Sequence, residues 1–378
     1  MRKWLRKMLL ALVISFAILS IGIGLYVQHP KFGTLPEGSC LEKIKSSPNY
    51  VDGQFQNLVP TPQFSEGNST ASVWWYFLFA KKERLTPTTS IPTVKTDLKT
   101  LDKDKVAVIW LGHSSYFMQL GGKRILIDPV LSSYAAPVFF ANKAFEGTNP
   151  YTAEDMPEID YLLISHDHWD HLDYPTVTAL KPKIKNVICG LGVGAYFEEW
   201  GFDTKHILEA DWFTALELEN DLTVHVLPAR HFSGRLFSRN KTLWTGFAFV
   251  TPERRIFYSG DGGYGPHFKQ IGDMLNGFDL VIMENGQYDK NWPYIHMMPE
   301  EVAQAAEELK AKALLPGHAG KFAIANHSWD DPFKRITAAS QNKNYKLITP
   351  MIGEPVELDN RQQLFSRWWE RVESITAK

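Results

Sequence analysis

Ser165-His166-Asp167-His168-Trp169-Asp170-His171 gathers three imidazoles and two carboxylates directly after the apolar run Tyr161-Leu162-Leu163-Ile164. The run reads as a buried strand, so the histidines fall where a strand ends and a loop begins. A buried strand holds such a loop rigidly while its side chains converge on a metal. Neutral imidazole and carboxylate together suit zinc, with iron or manganese as alternatives. A polar surface loop whose histidines happen to cluster is the competing account, and it gives no cause for such dense His/Asp spacing at a strand end.

The pattern His-x-His-x-Asp-His resembles the metallo-β-lactamase fold hydrolases. That resemblance implies that His166 and His168 ligate one metal, that Asp170 and His171 ligate a second, and that further ligands follow downstream. Three residues appear in the expected order. His231 lies in Leu227-Pro228-Ala229-Arg230-His231-Phe232-Ser233-Gly234, after the strand-like Leu222 to Val226. Asp261 lies in Phe257-Tyr258-Ser259-Gly260-Asp261 and would bridge the metals. His318 lies in Leu314-Leu315-Pro316-Gly317-His318, after a third apolar run. Singly, a histidine is more often a surface residue than a ligand; the joint occurrence carries the inference.

With 378 residues and 44% hydrophobic content the chain has ample material for a large core. The expected ligands span 166 to 318 and must meet at one site, so one large catalytic domain is the better reading than two. A formal net charge of -2 offers no basic footprint for nucleic acid. Cys40 and Cys189 form no Cys-x-x-Cys pair and indicate neither a zinc knuckle nor a redox centre, while a disulfide between them would require an exported domain.

Four basic residues in the segment 1–7 precede an uncharged run over 8–27. Twenty residues at 1.5 Å rise span about 30 Å, the thickness of a bilayer's hydrocarbon core. The flanking charge places the N-terminus in the cytoplasm and the remainder outside it. A cleaved signal peptide is the rival; the run exceeds a usual h-region and no Ala-x-Ala site follows, which favours an uncleaved anchor. Residues 28–105, rich in Pro, Gly, Ser and Thr, read as a linker and peripheral extension. Within it, Val73-Trp74-Trp75-Tyr76-Phe77-Leu78-Phe79 suits either a bilayer interface or, slightly preferred, packing on the domain core.

The catalytic domain is expected over 106–358, beginning at Val106-Ala107-Val108-Ile109-Trp110-Leu111. Gly121-Gly122 separates two strand-like runs as in a hairpin, helical segments fall near Pro175 to Leu180 and Val193 to Trp200, and a strand-rich block covers about 205 to 285. Pro299 to Lys310 has apolar residues at helical spacing after a first-turn proline. Sheet, helices, sheet, helices gives a four-layer αββα sandwich. A C-terminal helix is expected within 359–378, with Leu364, Phe365, Trp368, Trp369 and Val372 on a broad face.

Within the superfamily the segments resemble the branch containing the phospholipase D that hydrolyses N-acyl-phosphatidylethanolamine and its bacterial, RomA-type relatives. The pieces that carry this are Trp110-Leu111-Gly112-His113-Ser114-Ser115, Ile125-Leu126-Ile127-Asp128-Pro129, the metal motif, Gly260-Asp261 and Pro316-Gly317-His318. β-Lactamases of this fold use a cysteine on the second metal; the all-Asp/His set here weakens that assignment. The resemblance implies two zinc ions sharing a hydroxide that attacks phosphorus or a carbonyl carbon, with no protein nucleophile. Asp170 and His296 are the expected catalytic residues, His296 as proton donor to the leaving group. His113 and Asp128 are expected to orient ligands by hydrogen bonds. Tyr134, Phe139 and Phe140, in the apolar loop after Asp128-Pro129, are expected to contact substrate. These expectations describe a single-pass protein of the bacterial inner membrane with its catalytic domain on the periplasmic side, hydrolysing a phospholipid phosphodiester. A lactonase or other cyclic-ester hydrolase with the same metal centre is the alternative, and a non-catalytic anchored binding protein the minor one.

Overall fold

In the computed structural model, which describes residues 2–236, 238–360 and 362–372, two seven-stranded mixed sheets face one another. The first runs, in spatial order, Pro355–Glu357, Ala107–Trp110, Tyr116–Leu120, Lys123–Ile127, Ile159–Ile164, Ile184–Gly190 and Ile207–Ala210. The second runs Lys346–Leu347, Ala313–Gly317, Leu280–Glu284, Arg255–Tyr258, Thr245–Val250, Thr223–Pro228 and Thr214–Glu217. The strand Pro355–Glu357 pairs with Ala107–Trp110, so the last strand closes onto the first of this unit.

Period-two alternation explains the layering. In Ile159–Ile164, Tyr161 and Leu163 enter the core between the sheets, while Leu162 and Ile164 pack against Val177, Leu180 and Phe197 of the helices Tyr174–Leu180 and Gly194–Glu199. In Leu280–Glu284 the partition repeats: Leu280 and Ile282 face the other sheet, and Val281 and Met283 face helices His267–Met274, Pro299–Glu308 and Asp331–Ala339. Strands covered on both faces are therefore apolar over their central residues, which is why the run Tyr161 to Ile164 before the histidines carries no charged residue. The result is the four-layer αββα sandwich.

The N-terminal helix spans Arg2–Tyr26, and its segment Lys3–Tyr26 is long and apolar enough to cross a membrane, with none of it covered by the fold. The extension that follows contains a short helix, Gly38–Lys45, a two-stranded hairpin, and a helix Thr70–Phe79 whose first turn is closed by reciprocal Ser69 and Ser72 hydrogen bonds. Packing of this aromatic helix on the core is not what is observed for Trp75, Tyr76 and Phe79, which are exposed. Val73 of the same helix is buried; from Val73 onward the sequence is apolar all round, so it does not mark which side turns inward.

The C-terminal helix is also corrected. Among the described residues, only one 3-10 turn, Trp368–Arg371, forms there; Arg361 and 373–378 lie outside the described residues. Adjacent residues point about 100° apart on an α-helix, whereas both indoles here are buried against Phe333, at ring distances of 4.9 and 5.2 Å. Burial of both rings outweighs helical propensity. Cys40 and Cys189 are free thiols.

Candidate metal centre

Parallel pairing brings the site together. Ile127 lies beside Leu163 and Glu284 beside Gly317, so residues just beyond these strands gather at the carboxyl ends of both sheets. Thr245 N–H donates to Ser165 O at 2.9 Å and ties the His-rich loop to the opposite sheet. Two glycines permit the approach. Gly260 has φ +60° with Thr245 O where a Cβ would sit, and a Cβ on Gly317 would lie 1.8 Å from the Tyr116 hydroxyl.

His166 Nε2 and His168 Nδ1 are 2.9 Å apart, and His231 Nε2 is 3.3 Å from the same His168 nitrogen. A second group joins His171, His318, Asp170 and His113. Asp261 Oδ2 lies between the groups, 3.0 Å from His171 Nε2, 3.2 Å from His318 Nε2, 3.8 Å from His166 Nε2 and 4.0 Å from His231 Nε2. All seven residues expected as ligands thus meet in one place.

The outer nitrogens settle which atoms face inward. His231 Nδ1–H donates to Ile295 O at 2.9 Å and His171 Nδ1–H to Asp128 Oδ2 at 2.8 Å. The Ser165 hydroxyl gives its proton to Asp128, so it accepts from His166 Nδ1–H at 2.9 Å. His318 Nδ1 pairs with Ser114 Oγ at 2.8 Å. Each of these rings has its Nδ1 engaged outward, which turns Nε2 into the cluster. His113 Nε2 meets Asp170 Oδ2 at 2.9 Å and orients it, while Tyr258 donates to Asp128 at 2.6 Å.

Charge agrees with this. Burial pushes His166, His231 and His318 well below the ordinary imidazole value and His168 down to about 4, so these rings stay neutral. Burial also opposes a charge on His171, but Asp261 and Asp170 outweigh it and hold that imidazole well above its usual value. Burial raises Asp261 to about 6 against the pull of His171. Among the described residues Asp261 Oδ1 has no hydrogen-bond partner, although it is buried. Neutral imidazoles gathered around one oxygen of a buried carboxylate whose other oxygen is unpaired are a costly arrangement for protein alone and a suitable one for cations. The donor set of imidazole and carboxylate fits a metal centre.

His296, the expected proton donor, lines the same cleft of about 260 Å³ as His168, Asp170, His231, Asp261 and His318. Its Nδ1 is 2.6 Å from Glu284 Oε2. Burial drives Glu284 well above the usual carboxylate range and His296 below the usual imidazole range. The sequence reading missed Glu284, although it ends a strand as Asp261 nearly does. It also missed Arg235, whose buried guanidinium donates to Asp167 O, Leu172 O and Lys31 O and lies 4.1 Å over the Trp169 ring. Asp167, between the motif histidines, accepts from Gly234 N–H, Tyr196 and Thr242 and so anchors the loop.

Tyr134, Phe139 and Phe140 do not line the cleft; Ala135 and Asn142 of the same loop do. Tyr134 bridges to Lys143, and Ala135 N–H donates to Asn142 O at 3.0 Å. This folds the loop on itself and carries its tip away, leaving Phe139 77% and Phe140 75% exposed.

Residues 123–319, which include all seven expected ligands, match the family described as Beta-lactamase superfamily domain. Outer membrane protein RomA of Klebsiella pneumoniae is 69% identical over 102 residues, covering 27% of this chain and 77% of RomA. N-acyl-phosphatidylethanolamine-hydrolyzing phospholipase D 1 of Caenorhabditis elegans is 30% identical over 270 residues, 67% of this chain and 76% of that protein. Among solved structures, Igni18, a metallo hydrolase from Ignicoccus hospitalis, shares the fold with a TM-score of 0.52 at 19% identity, over 67% of this chain and 97% of its own.

Proposed function

This chain belongs to the β-lactamase superfamily and is a metal-dependent hydrolase, and from that premise we propose that it is a membrane-anchored dinuclear zinc enzyme cleaving a phosphodiester, with an N-acyl-phosphatidylethanolamine-type phospholipid as substrate. The observation behind this reading is Asp261 Oδ2, set 3.0–4.0 Å from imidazoles of two separate donor groups, as a bridging ligand would be. His166, His168 and His231 would hold one ion, Asp170, His171 and His318 the other, and Asp261 both. A zinc pair there supplies Lewis acidity, which brings a water's pKa towards about 7 and offsets charge on phosphoryl oxygens.

The chain's own residues do the rest. Asp128, Ser165, Ser114 and the Ile295 carbonyl fix the ligand rings, so little reorganisation accompanies reaction. Trp169, Trp292, Ile295 and Ile324 give the cleft apolar walls that exclude bulk water. His296, with Glu284 behind it, holds a proton where the departing alkoxide would need one. In the net reaction water adds to phosphorus, the bond from phosphorus to the ethanolamine oxygen breaks, and phosphatidic acid and an N-acylethanolamine leave. The substrate class draws on the C. elegans relative and on the apolar N-terminal helix.

The test is hydrolysis of bis(p-nitrophenyl) phosphate beside a lactone panel, by protein of measured zinc content and by Asp261→Ala. Phosphodiester turnover is expected, falling at least about 100-fold in the variant. Lactone turnover alone would replace this reading with the cyclic-ester one, and silence on both with metal bound would overturn each.

A further inference from the structure

Among the described residues, three apolar elements near the cleft carry large exposed side chains. The N-terminal helix ends at Tyr26, whose hydroxyl donates to the Pro137 carbonyl; Lys31 Nζ donates to the same carbonyl at 2.7 Å. Pro137 belongs to the folded-back loop that supplies Ala135 and Asn142 to the cleft wall and carries Phe139 and Phe140 at its exposed tip. Phe32, just past the helix, stands edge-on to Tyr26 at 5.7 Å and to Trp169, another lining residue, at 5.4 Å. On a third stretch of the rim, Asn68 Nδ2 donates to Asn291 Oδ1 at 3.1 Å, beside the lining Trp292. Asn68 leads directly into the helix Thr70–Phe79, where the rings of exposed Trp75 and Phe79 meet at 4.4 Å, tilted by 42°.

We propose that Phe139, Phe140 and the exposed face of Thr70–Phe79 seat on the same lipid bilayer that the N-terminal helix enters, so that the cleft opens onto lipid headgroups. The helix fixes the occupant. Its apolar surface is uncovered over the whole span, and its last residue is a tyrosine, a side chain suited to headgroup depth. Phe139 and Phe140 lie only two and three residues beyond the carbonyl that Tyr26 holds, a reach of at most about 10 Å. The headgroup zone on each side of the hydrocarbon is itself about 5–7 Å deep. A loop tied so closely to the emergence point of a membrane helix cannot keep two phenyl rings far from lipid. Such rings gain by leaving water. The rings expected to grip the substrate inside the site instead hold the mouth of the site against the surface on which a lipid substrate lies.

This inference deepens the proposed function and rests on its membrane-anchored reading; the experiment separates the two. Full-length, metal-loaded protein is reconstituted in phosphatidylcholine vesicles whose acyl chains carry bromine near the headgroup. Phe139→Trp and Phe140→Trp are compared with the parent protein, so that the added indole is read above the native ones. Quenching of the added emission by brominated lipid, with protection from aqueous acrylamide, is expected in both. Emission open to acrylamide and untouched by bromine in both variants would overturn the proposal, since the anchor is present throughout. In parallel, Phe139→Ser/Phe140→Ser should lower turnover of vesicle-held phosphodiester relative to bis(p-nitrophenyl) phosphate by about tenfold; an unchanged ratio would also overturn it. Quenching without turnover of any phosphodiester would sustain the seating and sink the proposed reaction.

Discussion

The His-rich loop after Ile159–Ile164 and the aromatic segments on the cleft rim are both conspicuous in sequence, and they differ in where their side chains find partners. In the loop, His166 and His171 are buried with one ring nitrogen bonded outward and the other turned into the cluster. On the rim, Phe139 and Phe140 contact each other at 5.4 Å, as Trp75 and Phe79 do at 4.4 Å, and remain open to solvent. Residues that act on a ligand held by the chain are over-determined by the chain. Residues that meet something outside it are held only at their base. The two regions should therefore fail differently when changed.

The largest expected effect comes from breaking the loop's outer support. Asp128 accepts from the Ser165 N–H and hydroxyl, from His171 and from Tyr258, so one carboxylate steadies the His171 ring directly and the His166 ring through Ser165 in a set of four hydrogen bonds. Asp128→Asn replaces an acceptor with a donor and should weaken zinc affinity by about 10–100-fold, read by competition with a chelator. Turnover should recover in excess zinc. A variant with unaltered affinity would mean that the rings are placed by the backbone alone.

An intermediate effect belongs to the joint between the regions. Lys321 is buried and donates to Val130 O at 2.7 Å, at the base of the rim loop, and to Leu111 O, ahead of His113. Burial pushes its pKa down to about 7 against the pull of Asp173. Between pH 7 and the ordinary lysine value of about 10.4, the unfolded chain binds a proton here that the folded chain does not. Raising the pH through that window therefore stabilises the fold, by at most about 1.4 kcal/mol per unit from this group; below pH 7 both states are protonated and the slope vanishes. Lys321→Met should flatten the rise in denaturant-unfolding stability over that window. An identical slope in the variant would place a salt-screened or hydrated amine at this position.

The same contrast governs what was legible in the sequence. Continuous apolar runs marked the strands because both faces of each sheet are covered, and His/Asp residues just past those runs marked the site because ligand chemistry restricts residue type. Glu284 escaped notice because a carboxylate at a strand end without a histidine neighbour has no spacing to announce it. Arg235 was illegible because its partners are backbone carbonyls, including Lys31 O far away in sequence. The tail misled because Trp368 and Trp369 fit a helical face by period, whereas burial of adjacent indoles on Phe333 requires a different backbone. For Phe139 and Phe140 the sequence declared apolar surface but not its direction, which the pairing of Tyr134 with Lys143 decides.

The smallest expected effect tests the rim by its indifference. Trp75 is 68% exposed, and its described ring contact is with Phe79, on the same helix. Trp75→Ser removes little that folding buries, so urea unfolding in detergent should change by no more than about 0.5 kcal/mol. Leu163→Ala, which empties a fully buried position between the sheets, should cost about 2–5 kcal/mol in the same assay. A cost above about 2 kcal/mol for Trp75→Ser would mean that this helix packs on the protein after all. Its aromatic run would then belong with the core, and the rim would lose one of the elements that set it apart from the loop. A near-zero cost leaves the indole with no structural duty to the fold, and its size and hydrophobicity are then explained by what it meets beyond the chain.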